Sequence, residues 1–223
     1  MRHGRKSRSK LFNGYKRHIA IANDLILATA VEPANLRESA PAERLLKMVA
    51  NHGEVAVLDI DRGYLACPAV ENLYREGTTI NSRPWNPKNG GKFTKEAFKI
   101  DLRRRTVTCP NGVTTTIYDA GKAEFAVEDC KKCKLKPQCT TAPHRWINIH
   151  PVEGLLIQLR KRKRTQAGRK ELRRRVRVEH RLARVAATQG DTARYRGARK
   201  NELDLNRTAA VINLFEVARR RAA

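Results

Sequence analysis

Aromatic residues make up only 5% of the 223-residue chain, which argues against a single-strand platform on which successive bases stack. No apolar run approaches the ~18 residues of a membrane span and no signal peptide opens the sequence, so membrane spanning and secretion are not expected. Acids are scarce as well, 22 Asp and Glu against 47 Lys and Arg, for a net charge of +25. That sign and size favour a polyanionic partner, usually nucleic acid, without choosing between DNA and a ribosomal-type RNA. Cysteines number five, and without a secretory signal they are expected as reduced thiols or metal ligands rather than disulfides. The length suffices for one domain of ample core with a small insertion.

Residues 1–10, MRHGRKSRSK, read as a solvated basic tail or a phosphate-contacting arm. Two β-type runs follow, Tyr15–Ala22 and Ile26–Val31, with Asn23-Asp24 as a turn signal between them. This predicts a hairpin and gives Asp24 to turn chemistry. Glu38 to Asn51 predicts an amphipathic helix ended by His52-Gly53. In EVAVLDID both faces begin apolar, the pattern of a strand buried on both sides in an α/β sheet. The strand ends in Asp59 and Asp61, where open α/β sheets place ligands. Asp61 alternatively caps the next turn or helix. A helical segment near Cys67–Glu76 and a short strand at Thr78–Pro84 complete residues 1–84.

From Trp85 to His150 the pattern changes to turn residues and short β runs, such as Thr106–Cys109 and Thr114–Tyr118, and predicts an inserted subdomain. Cys109-Pro110-Asn111-Gly112 is like a zinc knuckle with its second cysteine missing. Cys130 and Cys133 form a complete C-x2-C pair, and Cys139 follows after five intervening residues. Four thiolates suit a tetrahedral Zn²⁺ that would staple a small core; the alternative is four buried or free thiols. Cys67 stands apart and reads as helix packing.

Residues 151–223 read as mainly helical, with a weak point at Thr165–Gly168. Residues 160–184 hold 13 Lys or Arg and two acids, a density that favours phosphate binding over a merely solvated face. Wound at ~100° per residue, Glu171 to Val185 brings Leu172, Val176, Glu179, Leu182, Ala183 and Ala186 onto one face. Arg173, Arg174, Arg177, Arg181 and Arg184 take the other. Glu179 is then aimed at a core, where a carboxylate needs a cation, a metal or donors; Arg175, at i−4, is the plain ion-pair partner. A last helix near Glu202–Arg220 carries Leu203, Val211, Ile212, Leu214, Phe215 and Val217, read as packing.

These stretches together resemble the C-terminal part of a DDE transposase of a bacterial insertion sequence. GRKSRSKLFNGYKRH resembles the segment entering the second and third strands, and LDIDRGY the strand of the second carboxylate. TVTCPNG with EDCKKCKLKPQCT resembles the family's cysteine-bearing insertion. RRRVRVEHRLARV resembles the helix of the third carboxylate, and RYRGARKNELDLNRTAAVINL the closing segment. The resemblance implies an α/β fold, a truncated RNase H-like mixed sheet with flanking helices plus the small Cys-rich β insertion. It makes Asp61 the second acid and Glu179 the third, with Asp59 two residues away on the same strand face as the fallback. Against the family's Tyr-x2-Arg-x3-Glu-x6-Lys helix motif, Arg175 and Glu179 match, while Leu172 and Ala186 replace the Tyr and Lys.

No acid precedes Asp24, so the first carboxylate of the family is expected to be missing. The resemblance therefore implies a truncated transposase, weakly active or inactive, or a DNA-binding remnant that inhibits a full-length relative. It implies a two-metal Mg²⁺ or Mn²⁺ site at Asp61 and Glu179 for DNA cleavage and strand transfer. Duplex DNA would be gripped by Arg160, Lys161, Arg162, Lys163, Arg164, Arg173, Arg174, Arg175, Arg177, His180 and Arg181. A homodimer or mixed assembly in the bacterial cytoplasm, at the nucleoid, is the expected setting.

Overall fold

Asn23 and Asp24 take positive φ, 48° and 63°, as a two-residue hairpin turn requires at both central positions. They join β2 (Leu11–Ala22) to β3 (Leu25–Pro33), an antiparallel pair running from Tyr15↔Pro33 to Ala22↔Leu25 with a bulge at Ala20/Ile21. The short β1 (Arg2–Arg5) pairs with the start of β2, from Arg5↔Leu11 to Arg2↔Gly14. This computed structural model describes residues 2–5, 11–174 and 176–222, so most of the predicted basic arm lies outside the described residues.

The chain divides into two compact units, Met1–Arg83 with Arg162–Ala223, and Pro84–Lys161. In the first, α1 (Ala42–Ala50) packs Leu45, Met48 and Val49 against Ala28 and Ala30 of β3. The predicted EVAVLDID strand shortens to β4 (Val57–Asp59), followed by α2 (Pro68–Arg75) and β5 (Thr79–Asn81). β4 and β5 form a two-stranded parallel sheet. The expectation of a strand buried on both sides is corrected: Val57 is 44% exposed, and among the described residues β5 is the one strand paired with β4.

In the second unit β6 (Lys99–Asp101), β7 (Thr106–Thr108) and β8 (Thr114–Thr116) make an antiparallel sheet. β9 (Lys122–Glu124) pairs with β10 (Trp146–Asn148), and α3 (Val127–Lys131) and α4 (Lys136–Cys139) lie between them in sequence. Phe98, Val107, Ile117, Ala123, Phe125 and Ile147 are its core. The unit extends past His150 into α5 (Glu153–Arg164). Glu153, 1% exposed, ties the helix start to the unit by accepting from Lys95 Nζ and, at 3.0 Å, from the His150 amide.

At the expected weak point Thr165 caps α6 (Gln166–Leu172), its Oγ1 accepting from the Gly168 amide at 3.0 Å. Gly168 itself lies so close to α5 that a Cβ there would meet the Arg162 carbonyl oxygen at 2.0 Å. α7 (Val176–Gln189) and α8 (Ala198–Arg221) follow. Val185, Leu205, Ala209 and Ile212 close over Ile26 and Val31 of β3. Asn213 both accepts from the Ile26 amide (2.8 Å) and donates to its carbonyl (2.9 Å), so a side-chain amide satisfies one point on the outer edge of β3. Packing by α8 therefore falls to Leu205, Ala209 and Ile212; Leu203, Val211, Leu214, Phe215 and Val217 are exposed, contrary to the sequence expectation. The mixed elements bear out an α/β class, and no described helix is long and apolar enough to cross a membrane.

Candidate active site

Asp61 follows β4 and caps a 3-10 turn, Arg62–Tyr64, its Oδ1 accepting from the Arg62 amide at 2.7 Å. The capping reading of this residue is borne out, and its exposed carboxylate lines a cleft of about 1520 Å³ within the first unit. Asp59 lines the same cleft, with Oδ1 buried and without a hydrogen-bond partner.

Glu179 sits in the first turn of α7, where the helix dipole favours a carboxylate, and lines the same cleft with Val178, Leu182 and Ala183. It is exposed, not aimed at a core. The buried stripe of α7 is Arg181, Val185 and Gln189. Arg181 lies about 200° around the helix from Glu179 at ~100° per residue, which turns Glu179 outward. What sets this phase is a buried ion pair: Arg181 Nη2 donates to Glu216 Oε2 at 2.9 Å and lies 3.8 Å from Asp24 Oδ1. The guanidinium of Arg219, with those of Arg181 and Arg220, holds the Glu216 carboxyl down at about 2. Arg175, expected to pair with Glu179 and to contact phosphate, lies outside the described residues.

The cleft is walled by β2, by Leu45, Leu46 and Val49 of α1, by β4 and by α7. On this side β2 from Tyr15 to Ala22 has no strand partner among the described residues, and neither does β4. Two further side chains here were not singled out from the sequence. His18 Nδ1 and the Tyr64 hydroxyl share a hydrogen bond of 2.7 Å, and His18 Nε2 is buried without a partner. Burial, reinforced by Lys16 and Arg44, pushes the His18 pKa down to about 4. Burial, then Glu38 and Asp61, pushes the Tyr64 phenol up. Only the position of Tyr64, three residues after Asp61 in LDIDRGY, hinted at this pair.

The basic candidates separate into two groups. Arg160 is corrected to a structural role: its guanidinium donates to Glu153 Oε1 (3.3 and 3.4 Å) and approaches Glu96 at 3.8 Å. Arg162, half-buried, donates to Asn81 Oδ1 at 3.1 Å, and Arg181 is the buried partner of Glu216. Lys161, Lys163, Arg164, Arg173, Arg174, Arg177 and His180 are exposed, and Arg174 and Arg177 line the cleft beside Glu179.

The cysteines separate as expected, Cys67 being buried at the start of α2. Cys109, Cys130, Cys133 and Cys139 all line one small cavity of about 30 Å³ in the second unit. Burial raises the Cys139 thiol pKa; Arg145 opposes this, and the neighbouring thiols of Cys130, Cys109 and Cys133 add to it. Among the described residues no three His, Cys, Asp or Glu side chains are already drawn into a geometry that holds a metal ion.

Residues 108–218 match the family model described as "Transposase DDE domain". No curated protein and no solved structure matches the chain.

Proposed function

Because the chain belongs, through residues 108–218, to the transposase DDE-domain family, we propose that it binds duplex DNA and contributes two carboxylates to metal-dependent strand cleavage and transfer. Asp61 and Glu179 are those carboxylates. The observation that carries this reading is that residues 118 positions apart in sequence, on different elements, line one cleft with their carboxylates exposed. Their oxygens suit Mg²⁺ or Mn²⁺, hard cations that leave positions open for phosphate, and the unsatisfied Oδ1 of Asp59 is a further oxygen donor at the same wall. Such ions supply nucleophile activation and stabilisation of the leaving oxygen. Arg174 and Arg177 stand beside Glu179 to hold the phosphate backbone, with Lys161, Lys163, Arg164, Arg173 and His180 as further contacts. Most of these contacts are blind to sequence, so the chain alone recognises DNA by charge rather than by base order.

The cleft also supports the reading that this chain on its own is weakly active or inactive. Among the described residues β2 from Tyr15 to Ala22 and β4 each lack a second strand partner, and both line the cleft with α1 and α7 among its walls. A strand bearing the first carboxylate and supplied from outside residues 1–223 would pair with both edges in an RNase H-like sheet. The test is nicking of supercoiled DNA with Mg²⁺ or Mn²⁺. The expectation is binding without appreciable nicking; robust nicking abolished by Asp61→Ala would overturn the inactivity and leave the site assignment standing. Nicking that survives both Asp61→Ala and Glu179→Ala would overturn the assignment itself.

A second reading, inhibition of a full-length relative in the bacterial cytoplasm through mixed assembly, draws support from the exposed Val211, Leu214 and Phe215 on α8. These lie at i, i+3 and i+4, one apolar stripe suited to pairing with a second copy. Co-expression with an intact relative should then lower transposition, and Leu214→Glu with Phe215→Glu should relieve the effect.

A further inference from the structure

We infer that Cys109, Cys130, Cys133 and Cys139 bind a structural zinc ion that holds the Pro84–Lys161 unit together. The four thiols come from separate short elements. Cys109 precedes the tight turn between β7 and β8, closed by the Gly112 amide donating to the Cys109 carbonyl (2.9 Å). Cys130 lies in the last turn of α3, Cys133 in the turn that follows, and Cys139 ends α4. All four reach one cavity of about 30 Å³, room for a single ion-sized occupant.

The remaining wall explains which ion. Phe93, Val113, Phe125 and Leu135 make it largely apolar, with Asp129 the one carboxylate beside the thiols. Soft thiolates in a dry site select zinc over the hard cations suited to the carboxylate cleft. Arg145 also lines the cavity, and its Nε is buried without an acceptor. Thiolates kept deprotonated by a metal would supply that acceptor, and the guanidinium would offset part of their charge. Drawing the thiols together onto the ion is the change that binding requires.

The unit has a reason to need such a staple. Its five strands are three residues each, and its core is six buried side chains with partly buried neighbours that include Cys109, Cys130 and Cys139. Small units with cores of this size commonly depend on a metal or disulfides. The site is independent of the carboxylate chemistry, so the failure of either reading leaves the other intact.

The test is metal analysis of the full chain purified from zinc-supplemented medium, with the expected content about one zinc per chain, as in a closed four-thiolate site. Cobalt exchanged into the same protein should show thiolate-to-cobalt charge-transfer absorption with tetrahedral d–d bands. Cys130→Ser with Cys133→Ser should lose the metal, and Cys67→Ser, outside the cluster, should keep it. Both tryptophans, Trp85 and Trp146, lie in this unit, so their fluorescence should report a lower melting temperature when a chelator is added. Zinc-free protein whose tryptophan-monitored melting is unchanged by chelator would overturn the inference. Should the double serine variant fail to fold, the cobalt spectrum of the unmutated chain decides: absent charge-transfer bands also overturn it.

Discussion

Replacing Glu153 by Gln gives the sharpest prediction about what holds the Pro84–Lys161 unit together. The carboxylate is 1% exposed and faces Lys95 and Arg160, whose side chains are 17% and 13% exposed. Glutamine keeps the shape and an acceptor oxygen but removes the counter-charge, leaving two cations in a largely dry setting. Breaking a buried pair in this way costs about 3–5 kcal/mol. At about 1.4 kcal/mol per tenfold change, the unfolded population of this unit should rise by two to three and a half orders of magnitude. Urea titration followed by tryptophan fluorescence isolates the effect, since Trp85 and Trp146 both belong to this unit. Burial already lowers the Lys95 pKa while Glu153 raises it; in Glu153→Gln the ammonium loses that support and sheds its proton more readily. The deficit should therefore shrink from neutral pH toward alkaline pH, and only in part, because Arg160 stays charged. A shift below about 1 kcal/mol, the scale of an exposed ion pair, would refute the assignment of Glu153 as a buried tie and reopen Arg160 as a DNA contact.

Other measurements divide the remaining roles. Lys161→Ala and Lys163→Ala should each lower the salt dependence of duplex-DNA binding by about 0.9 in log–log slope, the loss of one phosphate contact. Arg160→Ala should leave that slope unchanged and lower the tryptophan-monitored stability. Gly168→Ala should destabilise the chain by about 1–3 kcal/mol in a helix-monitored melt, because the Arg162 carbonyl occupies the space its Cβ needs; an unchanged midpoint would mean that the α5–α6 junction is loose. Acid should weaken the first unit through two groups. His18 is held at about 4, below its unbound value of 6.5, so its buried neutral form contributes fully above pH 6.5 and is lost as pH falls toward 4. Glu216, held at about 2 against 4.5, contributes above pH 4.5 and is lost as pH falls through 2. Circular-dichroism melts across pH 7 to 3 should fall in the first window for wild type and less for His18→Gln.

Much of the architecture was legible because local signals and tertiary structure agree. Asn23-Asp24 marked the hairpin turn, and Thr165 and Gly168 marked the helix restart. The cysteine spacing was legible for the same reason: four thiols separated in sequence reach one cavity. Where the reading went astray, the cause was a carboxylate partner that a count of charge does not reveal. Arg160 and Arg181 sit in a run of cations that any count of charge assigns to phosphate. Each is instead committed to a carboxylate: Glu153, about two turns back along the same helix, and Glu216, on another helix altogether.

The error over Arg181 carried over to Glu179, and its correction strengthens the functional reading. Placing Arg181 with Arg173, Arg174, Arg177 and Arg184 on the solvent face put the apolar stripe through Glu179 and required a buried carboxylate to be neutralised. With Arg181 turned inward to Glu216, the helix rotates Glu179 out to the cleft that Asp61 also lines. A carboxylate exposed on a cleft wall avoids the burial penalty that a core-facing position would impose. The buried Arg181–Glu216 pair thus positions Glu179, and Glu216→Gln should loosen α7 against α8 and weaken Mn²⁺ binding in the cleft. Mn²⁺ relaxation enhancement of solvent water reads that binding directly. Equal Mn²⁺ affinity in Glu216→Gln and wild type, with Glu179→Gln reduced, would show that Glu179 binds the ion without help from the ion pair behind it.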